Sequence, residues 1–231
     1  IPDYRQGLES GIKGVRIGIC EKIIDNWSST EVKQAVWDSI GVLGDLGAEL
    51  TNVTVPNLDD MAHAYEVMLK AELSIGLKQA FSAEQLSDIE SELQQRIQEG
   101  ACYTLEQYLD AKRTVAGFSQ NVRRVFENVD VIVTPTYQTL PISARSSLTD
   151  VCTIEGRSIS YRDLILISMP IANVTGLPAL SVPCGLAYGH LPVGLQIMGR
   201  RLEEGLLLRV GHAYEQATNW HRNHPAICDI S

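Results

Sequence analysis

The sequence predicts an α/β fold, a mixed β-sheet layered with helices. Three observations predict it. Short, apolar, β-rich runs recur at residues 15–20, 130–134, 179–183 and 193–198. Amphipathic helical patterns fill much of the space between the first two runs and close the chain. The opening strand, helix and strand are joined by short links, the pattern of a right-handed parallel crossover. A chain of 231 residues can bury a substantial core. The reading is therefore one α/β domain over residues 1–231, with a helical excursion at about 57–128.

Val15-Arg16-Ile17-Gly18-Ile19-Cys20 reads as a buried strand. Ser28 or Ser29 can cap a helix from Thr30, with Glu31 in its first turn and Val32, Val36, Ile40 and Leu43 at helical spacing. Gly47 is the expected stop, because glycine enters the left-handed conformation without a Cβ penalty. Residues 49–55 alternate toward a second strand ended by Pro56. Asn57 and Ser82 are cap candidates in the helical stretch, and Gly100 is expected to divide a polar helix (82–99) from one near Thr104. After the strand at 130–134, residues 135–158 read as a long polar loop, a kind of segment that often carries function. Residues 163–171 are apolar and fit a buried helix or a strand. Residues 179–183 and 193–198 read as adjacent strands, and 203–218 as an amphipathic helix with Leu206, Leu207, Val210 and Tyr214 on one face.

Composition limits the function classes. Net charge is −9, from 19 basic and 28 acidic residues, which disfavours broad phosphate contact, so nucleic acid is not an expected partner. No apolar run approaches the ~20 residues that cross a bilayer, and the start carries no basic-then-apolar signal pattern. Five scattered cysteines without a C-x-x-C pair support neither a zinc ribbon nor a disulfide framework. A cytoplasmic location, no metal and no cofactor are the expectations.

The most specific stretch is Asn173-Val174-Thr175-Gly176-Leu177-Pro178-Ala179-Leu180-Ser181-Val182-Pro183-Cys184-Gly185, followed by Leu191-Pro192-Val193-Gly194-Leu195-Gln196-Ile197-Met198-Gly199. Gly176 and Gly185 allow tight turns, and Pro178 and Pro183 bracket a strand. Gln196 should face away from Leu195 and Ile197. This pair of segments resembles the C-terminal hallmark of the amidase-signature hydrolases. Ile12-Lys13-Gly14-Val15-Arg16-Ile17-Gly18 and Asp130-Val131-Ile132-Val133-Thr134-Pro135-Thr136 resemble further family segments, in the family's order.

The resemblance implies a hydrolase of carbon–nitrogen bonds in amides, working through a Ser nucleophile, a second Ser in a cis peptide and a Lys. In the family that machinery lies upstream of the hallmark, and the Gly/Ser-rich loop whose backbone N–H groups form the oxyanion hole has no counterpart in this sequence. No residue here inherits a catalytic role. Thr134, Thr136 and Tyr137, beside the family's substrate cleft, and Asn173 in the hallmark are the candidate substrate-lining residues, weighed against plain loop capping. A small-molecule amide is the implied partner once an N-terminal segment completes the site. The glutamine-specific branch places an Arg and an Asp where an ungapped count gives Val115 and Ile165, with Arg113 and Asp163 two residues away. A general amidase relative is expected rather than the A component of a tRNA-dependent amidotransferase.

Other candidates have blander readings. Ser10-Gly11-Ile12-Lys13 fits S-x-x-K without its companion motifs. Ser181 reads as a small packing residue, since no G-x-S-x-G elbow surrounds it. Cys184 reads as an inert buried thiol. His212, His221 and His224 near Asp229 read as surface and C-terminal packing. Two alternatives stand beside the main reading. One is a free-standing esterase or amidase with a rebuilt nucleophile. The other is a noncatalytic binding or assembly module that associates, possible homo-oligomer included, through an exposed sheet face.

Overall fold

The computed structural model describes residues 3–223. Its elements, in chain order, are β1 (Arg16–Ile19), α1 (Glu21–Trp27), α2 (Thr30–Asp45), β2 (Glu49–Asn52), α3 (Leu58–Ala80), α4 (Ala83–Ser87), α5 (Ser91–Ala101), α6 (Leu105–Val125), β3 (Val131–Pro135), β4 (Val151–Ile154), β5 (Arg157–Ser160), α7 (Tyr161–Thr175), β6 (Ala179–Ala187), β7 (Leu191–Gly199) and α8 (Glu204–Ala217). The chain divides into two compact units, Pro56–Val122 and the remainder.

In the larger unit, five strands run in the order β2-β1-β3-β7-β6. β1 pairs parallel with both β2 and β3, while β7 pairs antiparallel with β3 and β6. The sheet is thus mixed, and the opening crossover is parallel as its pattern predicts. Alternation decides which side is apolar. Ile17, Ile19, Val131, Val133, Leu195 and Ile197 all point to one face, where Val36, Ile40 and Leu43 of α2 and Leu207, Val210 and Tyr214 of α8 cover them. Each such fully buried side chain contributes roughly 1.5–3 kcal/mol of transfer free energy. Gly211 lets α8 lie close on β6, since a Cβ there would sit 2.5 Å from Leu180.

Several local expectations change. Helix α1 has no counterpart among the elements expected from the sequence. The polar loop contains a hairpin, β4–β5, whose turn residues Glu155 and Gly156 both have positive φ, 48° and 75°. Glu at the first turn position hides the usual Asn-Gly or Asp-Gly signal. The apolar run at 163–171 is helix α7; the Ser160 hydroxyl accepts from the Asp163 backbone N–H and caps it. Gly176 ends that helix in the left-handed region at φ 65°, as expected. Gly185 makes no turn: it lies inside β6, and a Cβ there would meet Ala35 of α2 at 2.9 Å.

The smaller unit is helical throughout, as its pattern predicts. Ser82 and Gln85 form a reciprocal capping box at the start of α4. Thr104 and Gln107 do the same at α6. Gly100 is not the expected divider. It sits inside α5, where a Cβ would fall 2.0 Å from the Lys70 carbonyl oxygen, so it permits close packing of α5 on α3. Lys70 then reaches Glu66 and Glu99, each at 2.7 Å.

Candidate substrate cleft at the end of strand β3

The face of the sheet away from α2 and α8 is polar near the end of β3. Thr134, Gln196 and Ser181 are register partners across β3, β7 and β6, and so form one transverse row. Gln196 faces away from Leu195 and Ile197, as alternation requires. It is buried, and its Nε2 donates to Thr134 Oγ1 at 3.2 Å and to the Ser168 carbonyl at 3.5 Å. Ser168 on α7 donates to the Pro135 carbonyl at 3.0 Å and accepts from Gln138 Nε2 at 2.7 Å. Gln138 is fully buried, and its Oε1 has no hydrogen-bond partner among the described residues.

One step further along, Thr136 donates its backbone N–H to Gly194 at 2.8 Å. The Thr136 and Ser181 hydroxyls meet at 2.6 Å over that glycine. A Cβ at residue 194 would lie 2.8 Å from Thr136 Oγ1 and 3.1 Å from Ser181 Oγ. Glycine is therefore needed here for close approach. The hydroxyl pair floors a cavity of about 360 Å³, walled by Tyr137, Thr139, Pro141 and Val193 among others. Every lining residue is uncharged at neutral pH. Tyr137 donates its hydroxyl to the Tyr161 carbonyl at 2.8 Å, and burial, with Cys152 and Tyr161 alongside, pushes its phenol up to about 12.

The four sequence candidates separate. Thr136 and Tyr137 line this cavity. Thr134 is fully buried and absent from the cavity lining, and its hydroxyl accepts from Gln196 Nε2. Asn173 is exposed on the last turn of α7, outside the cavity lining. Ser181 departs from its packing reading, because its side chain is exposed and pairs with Thr136. Gln138, Ser168 and Gly194 are absent from the sequence candidates. Their signal lies in contacts 30 or more residues apart, which spacing along the chain does not carry.

His221 has a buried Nδ1 with no hydrogen-bond partner among the described residues, and the remaining candidates have ordinary surroundings. Cys184 is buried at the β6 bulge, and burial pushes its thiol up to about 12, as it does for Cys20. Neither is an activated nucleophile. His212 pairs with Glu9 at 3.1 Å. His224 and Asp229 lie outside the described residues. Arg113 pairs with Asp110, and Asp163 accepts from the Ser160 hydroxyl at 2.7 Å. Val115 is buried in α6 and Ile165 half-buried in α7. Among the described residues, no group of three or more His, Cys, Asp or Glu could hold a metal ion, and no helix is long and apolar enough to cross a membrane. A larger hollow of about 600 Å³ lies on the other side, between α2 and β6. The hydroxyls at its base, Ser39 and Tyr214, bond to each other at 2.9 Å, and it stands apart from the polar row.

The mixed sheet and its layered helices share the fold of amidase-signature structures. A bacterial aryl acylamidase of that enzyme family superposes with a TM-score of 0.83 at 23% identity, over 96% of this chain and 47% of that one. A 6-aminohexanoate cyclic dimer hydrolase superposes at 0.78 and 19% identity, over 97% and 49%. The amidase family model matches residues 1–208, and the chain belongs to that family. By sequence it is 33% identical to the A component of the glutamyl-tRNA(Gln) amidotransferase of Thermosynechococcus vestitus and 32% identical to that of Halalkalibacterium halodurans. Each alignment covers 98% of this chain and 50% of the relative, so the chain spans about half the length of these relatives.

Proposed function

We propose that this chain supplies the carboxyl-terminal wall of an amide-hydrolysing site, and that the Ser–Ser–Lys groups reside on polypeptide outside it. The observation that carries the reading is the cleft at the end of β3. It offers hydroxyls, backbone and apolar walls, and its serine is bonded to a threonine rather than to a base. A hydroxyl without a neighbouring base is a weak nucleophile at neutral pH. The substrate is a small amide, seated against Thr136, Tyr137 and Ser181, with Thr134 holding the floor and Asn173 on the adjoining helix end.

Within the family, the general amidases are the preferred branch over the A components of amidotransferases. The charged residues nearest the glutamine-gripping positions, Arg113 and Asp163, are held by local partners. The exposed residues of β6, Ala179, Ser181 and Pro183, mark the face on which the completing polypeptide, or a second copy of the chain, would seat. The four described cysteines are free thiols, which favours a reducing cytoplasmic compartment.

The test is direct. The purified chain is assayed with simple amides and p-nitrophenyl esters, alone and joined to an amidase-signature amino-terminal half bearing the Gly/Ser-rich loop. The expected result is turnover only in the joined protein. Robust turnover by the chain alone, abolished by a point change within it, would overturn the reading in favour of a rebuilt nucleophile.

A further inference from the structure

We infer that the cleft over the Thr136–Ser181 pair selects uncharged amides and rejects ionised ones, with the hydroxyl pair as the docking point for the amide group. The inference rests on the amide-substrate reading and names the substrate class within it.

Hydrogen-bond counting supports the docking role. Two hydroxyls carry two protons, and their mutual contact at 2.6 Å uses one. The second proton and the remaining lone pairs face a ligand, so the pair can donate to a carbonyl oxygen and accept from an N–H. That is the complement of a neutral amide. Gly194 keeps the space beside the pair open, since any Cβ would press on Thr136 Oγ1.

Charge counting supports the selection. The walls are prolines, threonine, valine and the ring of Tyr137, with no carboxylate, ammonium or guanidinium among the lining residues. The Tyr137 hydroxyl is committed to the Tyr161 carbonyl and stays protonated well above neutral pH. An ionised ligand entering this space loses water and gains no countercharge, a penalty that grows with the extent of desolvation. A neutral amide loses far less and recovers its hydrogen bonds on the two hydroxyls.

The experiment uses the chain itself and three ligands of one shape: benzamide, benzoate and benzamidinium. Isotope-labelled protein is titrated with each, and the backbone amide signals of Thr136, Ser181 and Gly194 are followed. Benzamide should move these signals saturably, and the two ions should bind at least about tenfold more weakly. Ser181→Ala should weaken benzamide by about fivefold, and Thr136→Val likewise, with the melting temperature of each variant confirming the fold. Equal affinity for all three ligands, preference for an ion, or signals unmoved by benzamide would each overturn the inference. Hydrolysis is read separately. Saturable benzamide shifts alongside an inactive joined protein would retain the cleft and remove the hydrolase reading. A joined protein that prefers charged amides would do the reverse.

Discussion

The two ends of strand β3 differ sharply. At its start, Asp130 accepts from the Arg16 backbone N–H at 3.0 Å, from Arg16 Nη2 at 2.7 Å and from Arg200 Nη2 at 3.1 Å. Arg200 also donates to the Phe126 and Val129 carbonyls, each at 2.8 Å. The carboxyl is held down at about 2, chiefly by its Arg16 hydrogen bonds. Six residues on, at Thr136, the same strand's exit has hydroxyls and no charge. The charged end ties together the mouths of β1, β3 and β7. The neutral end leaves hydrogen-bonding capacity unused. Saturated electrostatics mark scaffold here, and the unsaturated neutral end is where the proposed ligand would sit.

The contrast can be broken at several points. Asp130→Ala should have the largest effect, a loss of about 1–3 kcal/mol in urea unfolding, because the Arg16 backbone N–H and the Arg200 guanidinium both lose their acceptor. Removing the support beneath the cleft comes next. Ser168→Ala leaves Gln138 Nε2 and the Pro135 carbonyl without their buried partner, and should cost about 1–3 kcal/mol by the same measurement. Acid should sharpen the comparison. Asp130 has a folded pKa below its ordinary 3.8, so its contribution is present above that value and is lost as pH falls from about 4 toward about 2. The loss should be about 1–2 kcal/mol after screening, measured as urea midpoints against pH, and absent in Asp130→Asn. At the neutral end, Ser181→Ala should change stability by no more than about 0.5 kcal/mol in thermal unfolding. A larger loss there would make the hydroxyl pair scaffold too.

Much of this is legible in the sequence. The hallmark segments give β6 and β7, and alternation places Gln196 opposite Leu195 and Ile197. The family resemblance also holds. What sequence does not reach is contact made in three dimensions. Gly100 and Gly185 look like punctuation, yet each serves the approach of another helix, a property of the partner rather than of the local chain. The β4–β5 hairpin turns on Glu155, a residue type seldom found at positive φ. At the cleft, Thr136 and Tyr137 are visible because they follow a strand end. Ser181 reads as packing because no G-x-S-x-G elbow surrounds it. Its relevance comes from a threonine 45 residues away.

Pro183 lies in β6, the outermost strand on its side of the sheet. Its register partner Gly194 turns its carbonyl toward Thr136, so Pro183 turns its own nitrogen outward. That nitrogen bears no hydrogen, and the adjoining bulge at Cys184 kinks the strand. A neighbouring molecule trying to extend the sheet along this rim meets a gap in the ladder, and fibre-like stacking is discouraged from the start.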